Sequence, residues 1–166
     1  MDSLIAAFDE RTPAADPSGT GILSSTKGIY EELTSVFGNP PDVDNDTRIY
    51  VLLQDVRDYW NDRSGSTSQG DLVVDGYLLS RNEASTARSM KREVIYIDVR
   101  RQSINEAKLT LAHQLMLLIQ YANDYDEDIW VNEGLAMMAE YLVGYKDYQA
   151  LGWKGFTSIS YAFQNP

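Results

Sequence analysis

Leu109-Thr110-Leu111-Ala112-His113-Gln114-Leu115-Met116-Leu117-Leu118-Ile119-Gln120-Tyr121, followed after an acidic loop by Trp130-Val131-Asn132-Glu133-Gly134-Leu135-Ala136, is the pair of segments that decides the fold. In the first, Leu111, Leu115, Met116, Leu117, Leu118 and Ile119 place apolar side chains nearly all round a helix. That composition belongs to a helix enclosed by other elements, not one lying on a surface. Ser103-Ile104-Asn105-Glu106 stands just before it, with Ser and Glu three apart as in a capping box. A helix is therefore expected over 106–121. Asn123 to Asp128 carries four acids and reads as a turn. From Trp130 to Tyr145 a second helix is expected, with Leu135, Met138 and Leu142 on one face. Gly134, Ala136 and Ala139 are small enough to let a neighbouring backbone come close, and Gly144 is placed as a C-cap.

Upstream, apolar spacing predicts short helices over 2–9 (Leu4, Ile5, Phe8) and 28–37 (Ile29, Leu33, Val36, Phe37), the latter stopped by Gly38-Asn39-Pro40-Pro41. Between them, 12–25 is rich in Pro, Gly, Ser and Asp and reads as an exposed loop. Arg48 to Val56 is β-branched and aromatic with a continuous apolar centre, the pattern of a buried strand and the expected core of the sheet. Glu93 to Val99 gives a second strand and Asp75 to Leu79 a short third. Residues 58–71 read as a loop, 81–92 as polar without a strong period, and 146–166 as a tail with one weak helix at most. Strands first and two packed helices after make the chain α+β.

A zinc peptidase holds its metal with His at i and i+4 on one helical face and uses a Glu at i+1 to take a proton from metal-bound water; a third ligand comes from further along. Here His113 occupies the first ligand position, Gln114 the general-base position and Leu117 the second ligand position, and Glu133 stands where a ligand on the next helix would stand. The run Leu111 to Tyr145, with its Trp-Val-Asn-Glu-Gly-Leu-Ala segment, resembles the active-site region of gluzincin metallopeptidases, the thermolysin-like zincins, and is most similar to secreted bacterial members. Gly28-Ile29-Tyr30, Phe37-Gly38, Pro40 to Asp44, Arg48-Ile49-Tyr50 and Arg92 to Asp98 resemble the same group.

The resemblance implies a zincin-like N-terminal subdomain over 1–166, in which a twisted mixed sheet packs on an active-site helix and a following glutamate helix. It also implies secretion, a peptide or protein substrate, and a C-terminal subdomain largely missing from this chain. His113 matches a zinc ligand and Glu133 the glutamate ligand; zinc is the family's cofactor, but tight binding is not expected here. Gln114 has no basic site near neutral pH, and losing a general base alone costs about a hundred- to ten-thousand-fold in rate. Leu117 has no lone pair, and His113 is the chain's single histidine. The expected reading is a catalytically degenerate metallopeptidase-like domain. One alternative is a non-catalytic module that captures an extended peptide on the strand at 75–79. Another is an unorthodox metal site built from His113, Glu133 and Asp124 or Asp126. An unpartnered buried Glu133 would need a partner, and His113 is the expected one.

Asp42, Asp44 and Asp46 alternate ahead of the first strand. Such acids suit calcium, but the glycine and distal bidentate Glu of an EF-hand loop are absent. A solvated turn is the expected reading, with calcium as the alternative. Composition narrows the rest. At 166 residues and 43% hydrophobic, one domain with a substantial core is expected. With 25 acids against 14 bases the net charge is -11, which repels nucleic-acid backbones and anionic lipid. There are no cysteines, no run of roughly 18 apolar residues and, with Asp2 at the start, no signal peptide in this chain. A chain that opens inside a helix is expected to have lost an upstream segment.

Overall fold

The computed structural model describes residues 2–56, 58, 73–82, 89–100 and 102–145. The expected loop at 59–71, the polar stretch at 83–88 and the tail at 146–166 lie outside the described residues. Among the described residues, four helices and three strands follow in the order α1 (Asp2–Asp9), α2 (Ile29–Phe37), β1 (Tyr50–Gln54), β2 (Gly76–Tyr77), β3 (Val94–Asp98), α3 (Ile104–Asn123) and α4 (Ile129–Leu142), with a 3₁₀ turn at Ser80–Asn82. The fold is α+β, with a small mixed sheet in the strand order β1-β3-β2.

α3 is the rod on which the other elements pack: α1, α2, α4, β2 and β3 all touch it. Its eleven consecutive buried positions from Thr110 through Gln120, with Ala107 before them, follow from the all-round apolar sequence. Its start is fixed by the capping box. Ser103 Oγ accepts from the Glu106 amide at 3.3 Å, and Glu106 Oε2 accepts from the Ser103 amide at 2.7 Å, so two orphan donors are satisfied. At the other end of the helix pair, Gly144 takes a φ of 75° just beyond α4. A Cβ there would lie 2.8 Å from the Pro13 carbonyl carbon, so the glycine also lets the 12–14 segment press against the end of α4. Thr12 and Ala14 are buried, and the loop expected to be exposed throughout is anchored at that point.

β3 is the buried centre of the sheet, with all five residues inaccessible. It pairs with β1 in parallel, Tyr50 opposite Val94 through Gln54 opposite Asp98, and with β2 in antiparallel fashion, Gly76 opposite Ile97 and Tyr77 opposite Tyr96. The expectation that the first strand forms the sheet core is corrected. Among the described strands β1 is an outer one: Val51 and Leu53 face the core, while Tyr50 and Leu52 are 41% and 47% exposed. Successive side chains of a strand point to opposite faces, so an apolar run on an outer strand is buried on one face only. The expected apolar face of the second helix is corrected too. Asn132, Ala136, Ala139, Glu140 and Val143 face inward, whereas Met138 is 47% and Trp130 75% exposed. Ala136 and Ala139 occupy the closest approach to α3, Leu135 packs against the core only in part, and Met138 turns outward.

Candidate active-site region

The turn between α3 and α4 is closed by polar side chains. Gln120 Nε2 donates to the Asn132 carbonyl at 3.2 Å, and Asn132 Nδ2 donates to the Glu127 carbonyl at 3.2 Å. These bonds dock the first turn of α4 against the last turn of α3. The consequence is that α4 presents its 133 and 140 positions, two helical turns apart, back toward the middle of α3.

His113 stands between those two glutamates. Its Nδ1 is 2.8 Å from Glu140 Oε1, and its Nε2 is 3.4 Å from Glu133 Oε2. The ring is buried, and Nε2 has no aligned hydrogen bond within the described residues. Burial by itself works against the charged imidazolium. The pairing with Glu133 and Glu140 outweighs it and raises the pKa from 6.5 to about 9. Near neutral pH His113 is therefore an imidazolium flanked by carboxylates.

Glu133 was expected to find His113, and the two lie in ion-pair range. The closer contact is Glu140, which was not anticipated. One signal was present: Glu133 and Glu140 are seven residues apart, in phase on one helical stripe.

Gln114 and Leu117 are both fully buried. Leu117 lies in the main apolar core beside Leu118 and Leu115. Gln114 points from α3 toward β2, where Gly76 crosses. A Cβ on Gly76 would meet Thr110 Cγ2 at 2.6 Å, the Tyr96 carbonyl oxygen at 2.8 Å and Gln114 Cγ at 3.3 Å, so only glycine allows the strand to lie so near the helix. Neither amide atom of Gln114 has a hydrogen-bond partner among the described residues. Gln102 secures the same region, donating to the carbonyls of Asp75 at 2.6 Å and Asp98 at 2.8 Å and accepting from Thr110.

These residues can be tested against a catalytic zinc ion. Two corners are present in outline: a buried imidazole Nε2 without a hydrogen bond, and a carboxylate oxygen 3.4 Å away, about the separation of two ligands on one tetrahedral zinc. A third corner is not. Leu117 supplies no donor, and Glu140 engages the opposite nitrogen of the ring, so it cannot share a metal with Nε2. Among the described residues no three His, Asp or Glu side chains are grouped to hold a metal. The donor set of the described residues does not fit a catalytic zinc.

The three upstream aspartates are occupied differently. Asp46 takes a bidentate hydrogen bond from Arg48 Nε at 2.8 and 2.9 Å, which holds its carboxyl down at about 2, and Asp44 pairs with Arg92. Asp42 is exposed. In the exposed loop after α3, the neighbouring Asp124 raises the carboxyl of Asp126.

Over 141 residues the chain is 28% identical to the neutral metalloprotease ShpI of Staphylococcus hyicus, a match covering 75% of this chain and 31% of that protein. The chain thus spans less than a third of that relative's length, and the similarity supports a metallopeptidase relationship. No family model matches the sequence. No solved structure matches it either. Among the described residues no helix is long and apolar enough to cross a membrane.

Proposed function

We propose that this chain is a zincin-like domain of the gluzincin type, a single domain over 1–166, whose zinc site is degenerate as written and which does not hydrolyse peptides. The observation that carries the reading is the pairing at His113. The nitrogen that would face a metal lies beside Glu133, while the i+4 position is Leu117, sealed in the core, and the i+1 position is an amide. Distant similarity to a neutral metalloprotease supports the ancestry. Secretion, and a peptide or protein as the ancestral substrate, follow from the same resemblance. Calcium at Asp42, Asp44 and Asp46 is not part of the proposal, since two of the three carboxylates already serve arginines.

The test is metal content. Purified chain at pH 7.5 is expected to carry well under one zinc per molecule and to show no chelator-sensitive cleavage of a casein substrate. The paired change Gln114→Glu with Leu117→His is expected to raise zinc content towards one. Stoichiometric zinc together with chelator-sensitive cleavage in the unaltered chain would falsify the reading.

A second reading is a metal-independent peptide-binding module. It is favoured by β2, which pairs with β3 on one side and with no other described strand. An extended peptide could add to that edge by main-chain hydrogen bonds. Peptide binding unchanged by exhaustive chelation would support it, whereas loss of binding on chelation would exclude it.

A further inference from the structure

Away from His113, α1, the turn after it, the first half of α3 and Tyr145, just beyond α4, line an open cleft of about 590 Å³. Ligand pockets for small molecules commonly run from about 300 to 1,000 Å³. Ala6 and Ala7 of α1 give it an apolar wall, Tyr145 an aromatic one, and Arg11 and Lys108 both line it.

Those two cations share one cleft in a chain of net charge -11. Elsewhere Lys27 pairs with Glu31, Arg48 with Asp46, Arg92 with Asp44 and Arg100 with Asp55. Neither Arg11 nor Lys108 has a carboxylate within 4.0 Å among the described residues. Both are nonetheless held in place. The Arg11 amide donates to the Ala6 carbonyl at 3.0 Å, which ties its backbone to the end of α1. The Lys108 ammonium sits 5.2 Å from the centroid of the Tyr145 ring, and the Tyr145 hydroxyl donates to the Arg11 carbonyl at 3.5 Å. A cation resting on an aromatic face keeps its charge and its donors for a ligand. With Asp2 also in the lining, two cations face one carboxylate, a net charge of +1 on an otherwise acidic molecule.

We propose that this cleft binds the free carboxylate of a small organic monoanion, with Arg11 and Lys108 taking the charge and Ala6, Ala7 and the Tyr145 ring taking an apolar body. Arg11 offers the planar fork that matches a carboxylate, and Lys108 a point charge beside it. Asp2 disfavours a second negative charge, so a monoanion is preferred to phosphate. The inference is independent of the metal-site reading.

The test is an amide-resolved NMR titration of the whole chain with four probes: N-acetyl-Leu-Phe as free acid, the same dipeptide as C-terminal amide, benzoate and inorganic phosphate. The free acid is expected to shift the Ala6, Ala7 and Lys108 signals, the amide not to, and phosphate to bind more weakly than the acid. Binding of the dipeptide acid alone would assign a peptide C-terminus as the source of the carboxylate. Equal binding of benzoate would assign a free organic acid. Arg11→Gln and Lys108→Gln should each weaken binding about tenfold, and Lys27→Gln, at a lysine already paired, should leave it unchanged. Equal binding of acid and amide, an Arg11→Gln titration matching the original, or no shift with either carboxylate would overturn the proposal.

Discussion

His113 and Gln114 are neighbours in sequence, yet they face two different regions of the molecule and meet opposite fates. A one-residue step turns about 100° round a helix, so His113 looks toward α4 while Gln114 looks toward β2. On the α4 side, a buried polar ring is flanked by two carboxylates and gains a charge from them. On the β2 side, a buried amide has neither atom bonded within the described residues. Equal burial therefore has unequal consequences. The first face ties two helices together, whereas the second carries a desolvation cost of about 1–3 kcal/mol with no bond in return. A buried polar side chain on this helix contributes to stability only where a partner has been found within the fold.

The largest effect is expected from breaking the tied face. His113→Ala removes the imidazolium that the buried Glu140 contacts, and removing one member of a buried pair typically costs about 3–5 kcal/mol. Urea denaturation should show that loss. It should also show that adding Glu140→Gln to His113→Ala restores part of it, and strictly additive losses would mean that the two residues are not coupled.

Next comes pH. The folded-state pKa of His113 is raised to about 9 against 6.5 for the free side chain. The bound proton stabilises the fold fully below about pH 6.5, and that contribution fades as pH rises through 9. Roughly 3 kcal/mol is at stake. Thermal melting should fall across that window in the original chain and lose most of the slope in His113→Ala; a flat profile in the original would remove the imidazolium from the account.

The smallest effect sharpens the other side of the contrast. Gln114→Met keeps the length of the side chain and removes two unbonded polar atoms, so stability should stay level or rise by about 1 kcal/mol. A fall of comparable size would reveal a bond to Gln114 from outside the described residues.

Much of this architecture was legible in the sequence where one local rule suffices. The capping box at Ser103 and Glu106, the C-cap at Gly144, the burial of Leu115 to Leu117 and the identity of β3 each depend on residues within a turn or two of one another. What was not legible depends on the far side of a contact. Ile49 to Leu53 reads the same whether a strand is covered on one face or both, and only the strand order reveals β1 as an outer strand. Met138 looks like a core residue until α3 comes so close that alanines are what fit. Glu140 was not singled out in the sequence, since the His113 ring that it meets lies 27 positions upstream. Arg11 and Lys108 share a cleft only because α1 and α3 pack side by side.

The capping box has a consequence beyond the two amides it satisfies. By fixing where α3 begins, it sets the rotational phase of everything the helix carries. Lys108, His113 and Gln114 point respectively at the α1 cleft, the α4 seam and the β2 crossing, three directions read off one starting point. A residue inserted after Ala107 would leave the cap intact and swing all three about 100° out of alignment together. The helix works as a single dial, and length changes within it are all-or-none, while substitutions can alter each of its three faces alone.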